Sequence, residues 1–308
     1  MSNSNKNMSL ANPEFRIDFI GIGMTKSGTT WIADTLREHH QIFIPIIKEI
    51  SYFNEYLAEL KDVKNYKFNK PLAFYHNHFK NAKENQKIGE FSAYMVFPNT
   101  AKRLYKYNPN LKLIAILRNP VKRAFSHYSY FKQKEFGEVH NFRNFRDATK
   151  KTPAILTCGL YYKQLKIYFD IFPAENIKVL FFDDLIKDSK QLYKQVLDFL
   201  EIEEFYPEII YKKSNITKQA RFKSVNLLIS KSREVIHKRN FQFILPLLKF
   251  TGIIKVAEFI RDKANTKKIE PHEKEKIDSD FEIELKNYYN NDICKLEKLL
   301  KKDLSHWK

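Results

Sequence analysis

The sequence predicts an α/β fold of three layers, in which a central parallel β-sheet lies between two layers of helices. Three apolar segments support this prediction, because each has the pattern of a buried strand and each is followed by a helical pattern. The predicted strands are residues 16–23, 111–120 and 176–185. Continuous apolar strands that alternate with helices are typical of a parallel sheet covered on both faces.

The predicted helices follow these strands and dominate the second half of the chain. Helical periodicity covers residues 28–40, 121–133, 189–202 and 281–300, and basic helical stretches with few strand signals occupy residues 218–268. We expect this helical C-terminal part to cap the sheet and to form the wall of a cleft for an acceptor molecule. Ligands of parallel sheets bind at the carboxyl ends of the strands, so the chemistry is expected in the turns after them.

The composition predicts one large domain. The chain has 308 residues, of which 43% are hydrophobic, and we expect a flexible lead-in over residues 1–14 and a single domain over residues 15–308. The lead-in lacks the apolar core of a secretory signal, and the two cysteines exclude a disulfide framework and fit a reducing compartment. The most apolar stretch, residues 241–260, contains charges and fits a buried or interfacial helix. We therefore expect a cytoplasmic protein.

The charge of the chain predicts an anionic partner without identifying it. The formal net charge is +18, because 54 Lys and Arg residues face 36 Asp and Glu residues. Such an excess attracts nucleotides, acidic glycans, anionic membrane surfaces or nucleic acid. Part of the excess is accounted for by solvated lysines.

The first predicted turn has the features of a phosphate-binding loop. Gly23 and Gly28 have the spacing of a nucleoside triphosphatase loop, but Thr29 replaces its lysine and Lys26 lies inside the loop. The N–H groups that open the next helix could hold one phosphate, and Lys26 would neutralise charge in front of it. The alternative is a plain capped helix start, in which Ser27 and Gly28 only form the turn.

The other two strand ends indicate which anion is bound. Arg118 stands where a triphosphatase would place a magnesium-binding aspartate, and with Ser126 it forms an anion site without a metal. Arg118 could instead be a structural ion-pair partner, and Ser126 a helix-face residue. Asp183 and Asp184 end the third strand, where they would hold magnesium in a phosphotransferase or cap the next helix.

Two of these motifs together resemble the nucleotide motifs of the sulfotransferases that use 3′-phosphoadenosine 5′-phosphosulfate. They are "TKSGTTW" at residues 25–31 and "LRNPVKRAFSHY" at residues 117–128. Further matches are "KEISYF" at 48–53, "GEFSAY" at 89–94, and the segments 159–185 and 292–307. The resemblance covers most of residues 16–308 and is similar to the bacterial and glycan-modifying branch of the family, with its phosphate-loop-like fold.

The resemblance implies the residues of the donor site. Lys26 matches the lysine on the phosphosulfate, and Ser27, Gly28, Thr29 and Thr30 match the cradle of the 5′-phosphate. Trp31 matches a tryptophan that stacks on adenine in some members. Arg118 and Ser126 match the pair that binds the 3′-phosphate, and Arg221 loosely matches a later basic residue that reaches it. No metal is implied.

The resemblance also implies a catalytic base. Glu49 matches the base of heparan-type members, and a carboxylate there could take a proton from an acceptor hydroxyl. Glu90 is an alternative base, although an anchoring role toward Ser92 is preferred. His76, His78 and His127 are further alternatives, which fit packing better than catalysis. A lysine that assists catalysis in some members is replaced by Phe91, so either Lys48 supplies that charge or the acceptor differs.

The sequence thus predicts a metal-independent sulfotransferase that acts on a hydroxyl or amine, most readily on a glycan or glycolipid, and that does not bind nucleic acid. The rivals are an ATP-dependent phosphotransferase, a sulfotransferase with a small-molecule or lipid acceptor, and a non-enzymatic basic binder of acidic polymers or membranes. Residues 224–260 would allow peripheral contact with the inner face of the membrane.

Overall fold

The computed structural model describes residues 15–56, 64–134, 142–211, 218–220, 266–268 and 275–308. Its contacts divide the chain into two compact units. The first comprises residues 1–127, 149–212 and 279–308, and the second comprises residues 128–148 and 213–278. Arg221 and the predicted membrane-contacting segment 224–260 lie outside the described residues.

The first unit contains a five-stranded parallel sheet, which confirms the predicted fold class. The strands are β1 (Phe19–Gly23), β2 (Ile42–Phe43), β3 (Lys87–Phe91), β4 (Lys112–Leu117) and β5 (Ile177–Phe181). Their order is β2-β3-β1-β4-β5, and every neighbouring pair is parallel. The predicted strands correspond to β1, β4 and β5. The other two were not predicted, because β2 has only two residues and β3 contains a glycine and a carboxylate, which weaken a strand pattern.

The helices alternate with these strands along the chain. The α-helices are α1 (Thr29–Arg37), α2 (Leu72–His76), α3 (Pro98–Tyr107), α4 (Pro120–Lys134), α5 (Phe145–Lys151), α6 (Ala154–Thr157), α7 (Tyr161–Phe169), α8 (Phe182–Lys187), α9 (Ser189–Leu200) and α10 (Ser279–Leu300). Short 3₁₀ helices cover Asn77–Phe79, Tyr94–Val96, Ala174–Asn176, Glu208–Tyr211 and Ser305–Trp307. The four long periodic segments predicted as helices correspond to α1, α4, α9 and α10.

The core of the first unit lies on both faces of the sheet. All five residues from Leu113 to Leu117 of β4 are fully buried, as expected for a central strand whose side chains alternate between two covered faces. On one face, Ile114 and Ile116 belong to a cluster that includes Trp31 of α1 and Tyr193 of α9. Helices α7 and α10 pack against each other.

Side-chain caps fix the starts of helices, and one of these caps lies just after β4. The Asn119 side chain accepts a hydrogen bond from the Lys122 N–H at 3.1 Å, and Pro120 follows as the first residue of α4. Asp188 caps α9 in the same way through the Gln191 N–H. The first cap fixes where α4 begins, and therefore fixes Arg118 immediately beyond the end of β4.

The second unit is described in part. Strands β6 (Lys218–Ala220) and β7 (Thr266–Lys268) pair in an antiparallel ribbon at the two ends of the segment predicted to be helical. The Glu275 carboxylate accepts hydrogen bonds from Tyr128 at 3.0 Å and from Lys132 at 2.7 Å. Within the described residues of the whole chain, we find no helix with the length and apolar character needed to cross a membrane.

Candidate active site

The candidate site lies in the first unit, where the carboxyl ends of parallel strands meet. A small pocket lies there. Its lining residues come from β1, the β1–α1 loop, the start of α1, the end of β3, the segment after β3 and one further loop: Gly21, Gly23, Thr25, Thr29, Glu49, Phe91, Ser92 and Ala93. The fold thus brings together segments that are far apart in the sequence, at the edge where ligands of such sheets bind.

The β1–α1 loop turns sharply through two left-handed residues. Lys26 has a φ of 68° and Gly28 has a φ of 96°, and Gly28 directly precedes α1. A Cβ at Gly28 would lie 2.9 Å from Leu185 Cδ2 and 3.1 Å from Phe182 Cδ2, so a side chain is disfavoured by both conformation and space. The loop is therefore packed on α8, and the first N–H groups of α1 lack intrahelical acceptors.

Arg118, which directly follows β4, connects the end of that strand to the β1–α1 loop. Its Nη1 donates a hydrogen bond to the Lys26 carbonyl at 3.2 Å, and its Cζ lies 4.5 Å from the centre of the Phe182 ring. Its own carbonyl accepts a hydrogen bond from the Tyr161 hydroxyl at 2.8 Å. Burial lowers the pKa of the guanidinium, and the nearby Tyr161 and Asp183 partly oppose that effect. The two sequence motifs are therefore in direct contact.

Lys48 adds a cation at the start of α1. Its ammonium donates hydrogen bonds to the Thr29 and Thr30 hydroxyls at 2.9 Å and 3.0 Å, and lies 3.7 Å from a Glu49 carboxylate oxygen. Burial is the main cause that lowers the pKa of Lys48, with Glu49 acting in the opposite direction. A lysine on the two hydroxyls predicted to cradle a phosphate places positive charge at that cradle.

Glu49 lies on the pocket wall and is held by backbone groups. Its N–H donates a hydrogen bond to the Phe91 carbonyl at 3.0 Å, and its carboxylate accepts one from the Ala93 N–H at 2.8 Å. The side chain is 43% exposed, and the backbone has a φ of 59°. One oxygen of a partly exposed carboxylate is thus oriented by the segment that follows β3.

Glu90 is a second carboxylate near the same segment, but it is buried. It accepts hydrogen bonds from the hydroxyls of Tyr94 at 2.6 Å, Ser92 at 2.7 Å and Tyr75 at 3.0 Å. Burial raises its pKa to about 7, although the three hydroxyls act to lower it. The Ser92 oxygen also accepts a hydrogen bond from the Ser51 N–H at 3.0 Å. Glu90 therefore supports the loop that carries Glu49.

The residues present fit an anionic nucleotide. Thr25 Oγ1, whose residue lines the pocket, and Arg118 Nε are buried atoms without a hydrogen-bond partner among the residues that the structure describes. Buried donors without partners are costly, and a ligand with several oxygen acceptors would satisfy them. Lys26 contributes its carbonyl to Arg118, and the role predicted for its ammonium stays a prediction.

Trp31 requires a correction. The sequence assigns it to an adenine ring, but its indole is only 5% exposed and belongs to the core cluster. Its ring meets Tyr193 edge to face, with centroids 6.5 Å apart. The apolar face of α1 directs this side chain into the core, so we withdraw the assignment to adenine. Ser126 is half-buried on α4, and its predicted contact stays a prediction, as does that of Arg221.

Asp183 and Asp184 do not cap α8. The residue before this helix is Phe181, without a side-chain cap, and both aspartates lie in the first turn. Asp183 accepts a hydrogen bond from the Trp307 indole at 2.8 Å, and Asp184 accepts one from Lys302 at 3.2 Å. Both carboxylates are bound to the C-terminal segment, a distant pairing that local cap patterns do not show.

The histidines predicted to favour packing are largely enclosed. His76 Nε2 lies 3.2 Å from the Tyr107 hydroxyl, and burial lowers its pKa to about 4. His127 is 2% exposed, with Nδ1 3.3 Å from Arg123. His78 is half-buried against Phe74. The described pocket lining contains none of the three.

Sequence patterns did not predict that Tyr161 binds the Arg118 carbonyl or that Trp307 binds Asp183. Both lie in segments that carry the family resemblance, at 159–185 and 292–307. Their contacts near Arg118 form because α7, α8 and the C-terminal segment pack together in the folded chain. The only sequence signal was that two aromatic residues lie inside matched segments.

Comparison with known proteins identifies the family. A family model described as "Sulfotransferase domain" matches residues 16–244. The membrane-associated sulfotransferase kil1 of Dictyostelium discoideum is 24% identical over an alignment that covers 73% of this chain and 66% of that protein. Heparan sulfate glucosamine 3-O-sulfotransferase 5 of Mus musculus is 25% identical over 190 residues, covering 59% and 52%. The chain thus spans about half to two thirds of the length of these relatives.

One solved structure is similar along nearly the whole chain. It is a sulfotransferase from Alicyclobacillus acidocaldarius, with a TM-score of 0.64 and 23% sequence identity. The match covers 95% of this chain and 99% of that one. At this identity the likeness concerns the fold, and the chemistry must be argued from the residues of this chain.

Proposed function

Because this chain belongs to the sulfotransferase family, we propose that it transfers a sulfuryl group from 3′-phosphoadenosine 5′-phosphosulfate to an acceptor hydroxyl or amine. The observation that carries the proposal is the contact between Arg118 and the Lys26 carbonyl. It joins two anion-binding motifs at one edge of the sheet, as a donor with separate 5′ and 3′ phosphates requires.

The donor side would be formed by the β1–α1 loop and Arg118. The N–H groups at Gly28, Thr29 and Thr30, with the Lys48 ammonium on the two hydroxyls, would hold the 5′-phosphate. Arg118 and Ser126 would hold the 3′-phosphate, with Arg221 as a further candidate. Lys26 would stabilise the negative charge that forms on the phosphate when its bond to the sulfuryl group breaks.

The acceptor side would use Glu49 as the base. The acceptor oxygen bonds to sulfur, and its proton passes to the Glu49 carboxylate. Glu49 is preferred over Glu90, His76 and His127, because it lines the pocket and is partly exposed whereas the others are enclosed. The Ala93 N–H holds one carboxylate oxygen of Glu49, and the second oxygen, which lies 3.7 Å from the Lys48 ammonium, would face the acceptor.

We propose a carbohydrate as the acceptor, on a polysaccharide or a glycolipid. The resemblance to the glycan-modifying branch supports this class, as does the relative named for heparan sulfate glucosamine. A net charge of +18 would favour an acidic glycan. A cytoplasmic location, with peripheral contact at the inner membrane face, and a single domain over residues 15–308 remain part of the proposal.

Calorimetry on the full chain tests the donor assignment. We expect adenosine 3′,5′-bisphosphate to bind without metal and more tightly than ATP with magnesium. The opposite preference would overturn the proposal in favour of a phosphotransferase. Transfer of labelled sulfate to a panel of glycans, glycolipids and phenols then tests the acceptor class, and labelling of phenols alone would contradict the carbohydrate assignment.

A further inference from the structure

The end of the chain packs against the back of the donor site. We call residues 302–307 the tail segment. Trp307 is 1% exposed, and its ring lies 6.2 Å from that of Tyr161 and 5.8 Å from that of Phe181. Leu304 is fully buried, and Lys302 lies 4.2 Å from the centre of the Phe181 ring. The tail segment is thus an integral part of the first unit.

The tail segment binds Asp183, the residue that follows the Phe182 ring beside Arg118. Phe182, whose ring stacks on the Arg118 guanidinium, is followed by Asp183. Asp183 Oδ2 accepts the indole N–H of Trp307 at 2.8 Å and lies 3.4 Å from His306 Nε2. The Asp183 carboxylate is therefore oriented toward the tail segment.

Asp183 directly follows Phe182, whose ring centre lies 4.5 Å from Arg118 Cζ, so the carboxylate and the guanidinium belong to neighbouring positions. Burial lowers the pKa of Arg118, and the charge of Asp183 partly opposes that effect. A guanidinium and a carboxylate in such proximity form strong bidentate pairs when they can meet. A pair of this kind would occupy the donor groups that a phosphate needs, including the Nε that has no partner in the described part of the chain.

We propose that the tail segment keeps the Asp183 carboxylate away from Arg118, so that the guanidinium stays available for a phosphate of the nucleotide. This inference rests on the proposed function, in which Arg118 holds the 3′-phosphate. Trp307 acts here as a positioning residue, because it contacts Asp183 and Tyr161, and Tyr161 in turn binds the Arg118 carbonyl. The indole N–H is the nearer group on Asp183 Oδ2, at 2.8 Å, whereas His306 Nε2 lies 3.4 Å from the same oxygen.

The experiment measures the contribution of the 3′-phosphate to binding. Calorimetry on the full chain compares adenosine 3′,5′-bisphosphate with adenosine 5′-phosphate, which lacks the 3′-phosphate. Trp307→Phe keeps an aromatic ring and removes the N–H. The preference for the bisphosphate is the ratio of its affinity to that of adenosine 5′-phosphate. We expect Trp307→Phe to lower this ratio by about three- to tenfold, with little change in the affinity for the 5′-phosphate. Lys308→Ala, which breaks a contact with Glu297 instead, is the control.

Charge removal separates the proposed role from a loss of packing. In the Trp307→Phe background, Asp183→Asn should restore most of the preference, because a neutral amide does not pair with Arg118 as a carboxylate does. Asp184→Asn is the matched control and should not restore it, since Asp184 is bound to Lys302. In the unmodified background, Asp183→Asn should leave the preference equal or higher, which provides a test even if the Trp307 variant does not fold.

Four results would overturn the inference. Equal losses for both nucleotides in Trp307→Phe would indicate a structural role alone. Equal rescue by Asp184→Asn and Asp183→Asn, or a reduced preference in Asp183→Asn alone, would exclude Asp183 as the competing anion. If the unmodified chain shows no preference for the bisphosphate, the proposed donor site fails and the inference fails with it, so the two failures are distinguishable.

Discussion

The donor side and the acceptor side of the candidate site are held by different means. On the donor side, the loop with Lys26 is packed on α8 and is fixed by Arg118. On the acceptor side, Glu49 lies on a loop in which Glu49 and Ser51 both have positive φ, at a cost of about 1–2 kcal/mol each. That loop is held by hydrogen bonds to the segment after β3 and leaves Glu49 partly exposed.

This difference indicates what each side can tolerate. A donor that is the same for every turnover suits a rigid cradle, because prearranged groups stabilise developing charge without reorganisation. An acceptor loop held by a few hydrogen bonds can adjust to a larger substrate. We therefore expect substitutions on the two sides to change different kinetic parameters.

The largest effect is expected for Glu49→Gln. If this carboxylate takes the acceptor proton, kcat should fall by roughly 10²–10⁴-fold while donor binding stays close to normal. Initial rates and calorimetry with adenosine 3′,5′-bisphosphate would measure the two parameters. Glu55→Gln, which removes a partly exposed carboxylate bound to Arg103, is the control. A loss in kcat below tenfold would indicate that another residue is the base, and the two sides would then not differ as proposed.

Lys26→Ala should produce the next largest loss. Removal of one contact to developing charge costs roughly 10²–10³-fold in kcat. The effect should appear in kcat for every acceptor, because the leaving phosphate is common to all of them. Lys122→Ala, an exposed lysine on α4, should leave the rate unchanged. Acceptor-dependent losses would show that Lys26 belongs to the acceptor side instead.

Glu90→Gln tests the buried support of the acceptor side through stability. Burial raises the pKa of Glu90 from 4.5 to about 7, so the folded chain binds this proton more tightly than the unfolded chain. The stabilisation is fully present below pH 4.5 and is lost as the pH rises through 7. It amounts to on the order of 3 kcal/mol.

The measurement is urea unfolding between pH 4.5 and 8. The free energy of unfolding of the unmodified chain should fall relative to that of the Glu90→Gln variant as the pH rises, and the difference should level off above pH 7. Curves that stay parallel over this range would mean that Glu90 titrates normally. Glu55→Gln again provides a partly exposed control.

The smallest effect is expected for Lys48→Ala. Loss of the ammonium that bridges the Thr29 and Thr30 hydroxyls should weaken binding of adenosine 5′-phosphate about tenfold, since hydrogen bonds to charged groups are worth about 1.5–3 kcal/mol. Lys112→Ala is the matched control, because that lysine binds Glu201 at the amino end of β4. An unchanged affinity with reduced kcat would assign Lys48 to the acceptor side.

Much of the fold followed from local patterns, and the failures have physical causes. Strands β1, β4 and β5 are uninterrupted apolar segments, so periodicity identified them. Strand β3 was missed because Glu90 is buried through three hydroxyl partners, which no strand pattern includes. Asp183 does not cap α8 because that helix begins at Phe182, and its carboxylate instead binds a tryptophan 124 positions away.

The sequence by itself determined the α/β fold, the family, and the types of residue at each strand end, since these depend on periodicity and on short motifs. The tertiary structure decided which of them meet. It brought Lys48 onto the hydroxyls of α1, turned Trp31 into the core, and enclosed Glu90 while leaving Glu49 at the pocket. The physical reason is that burial and pairing across the chain are set by the packing of distant elements, and short sequence motifs carry no information about those distances.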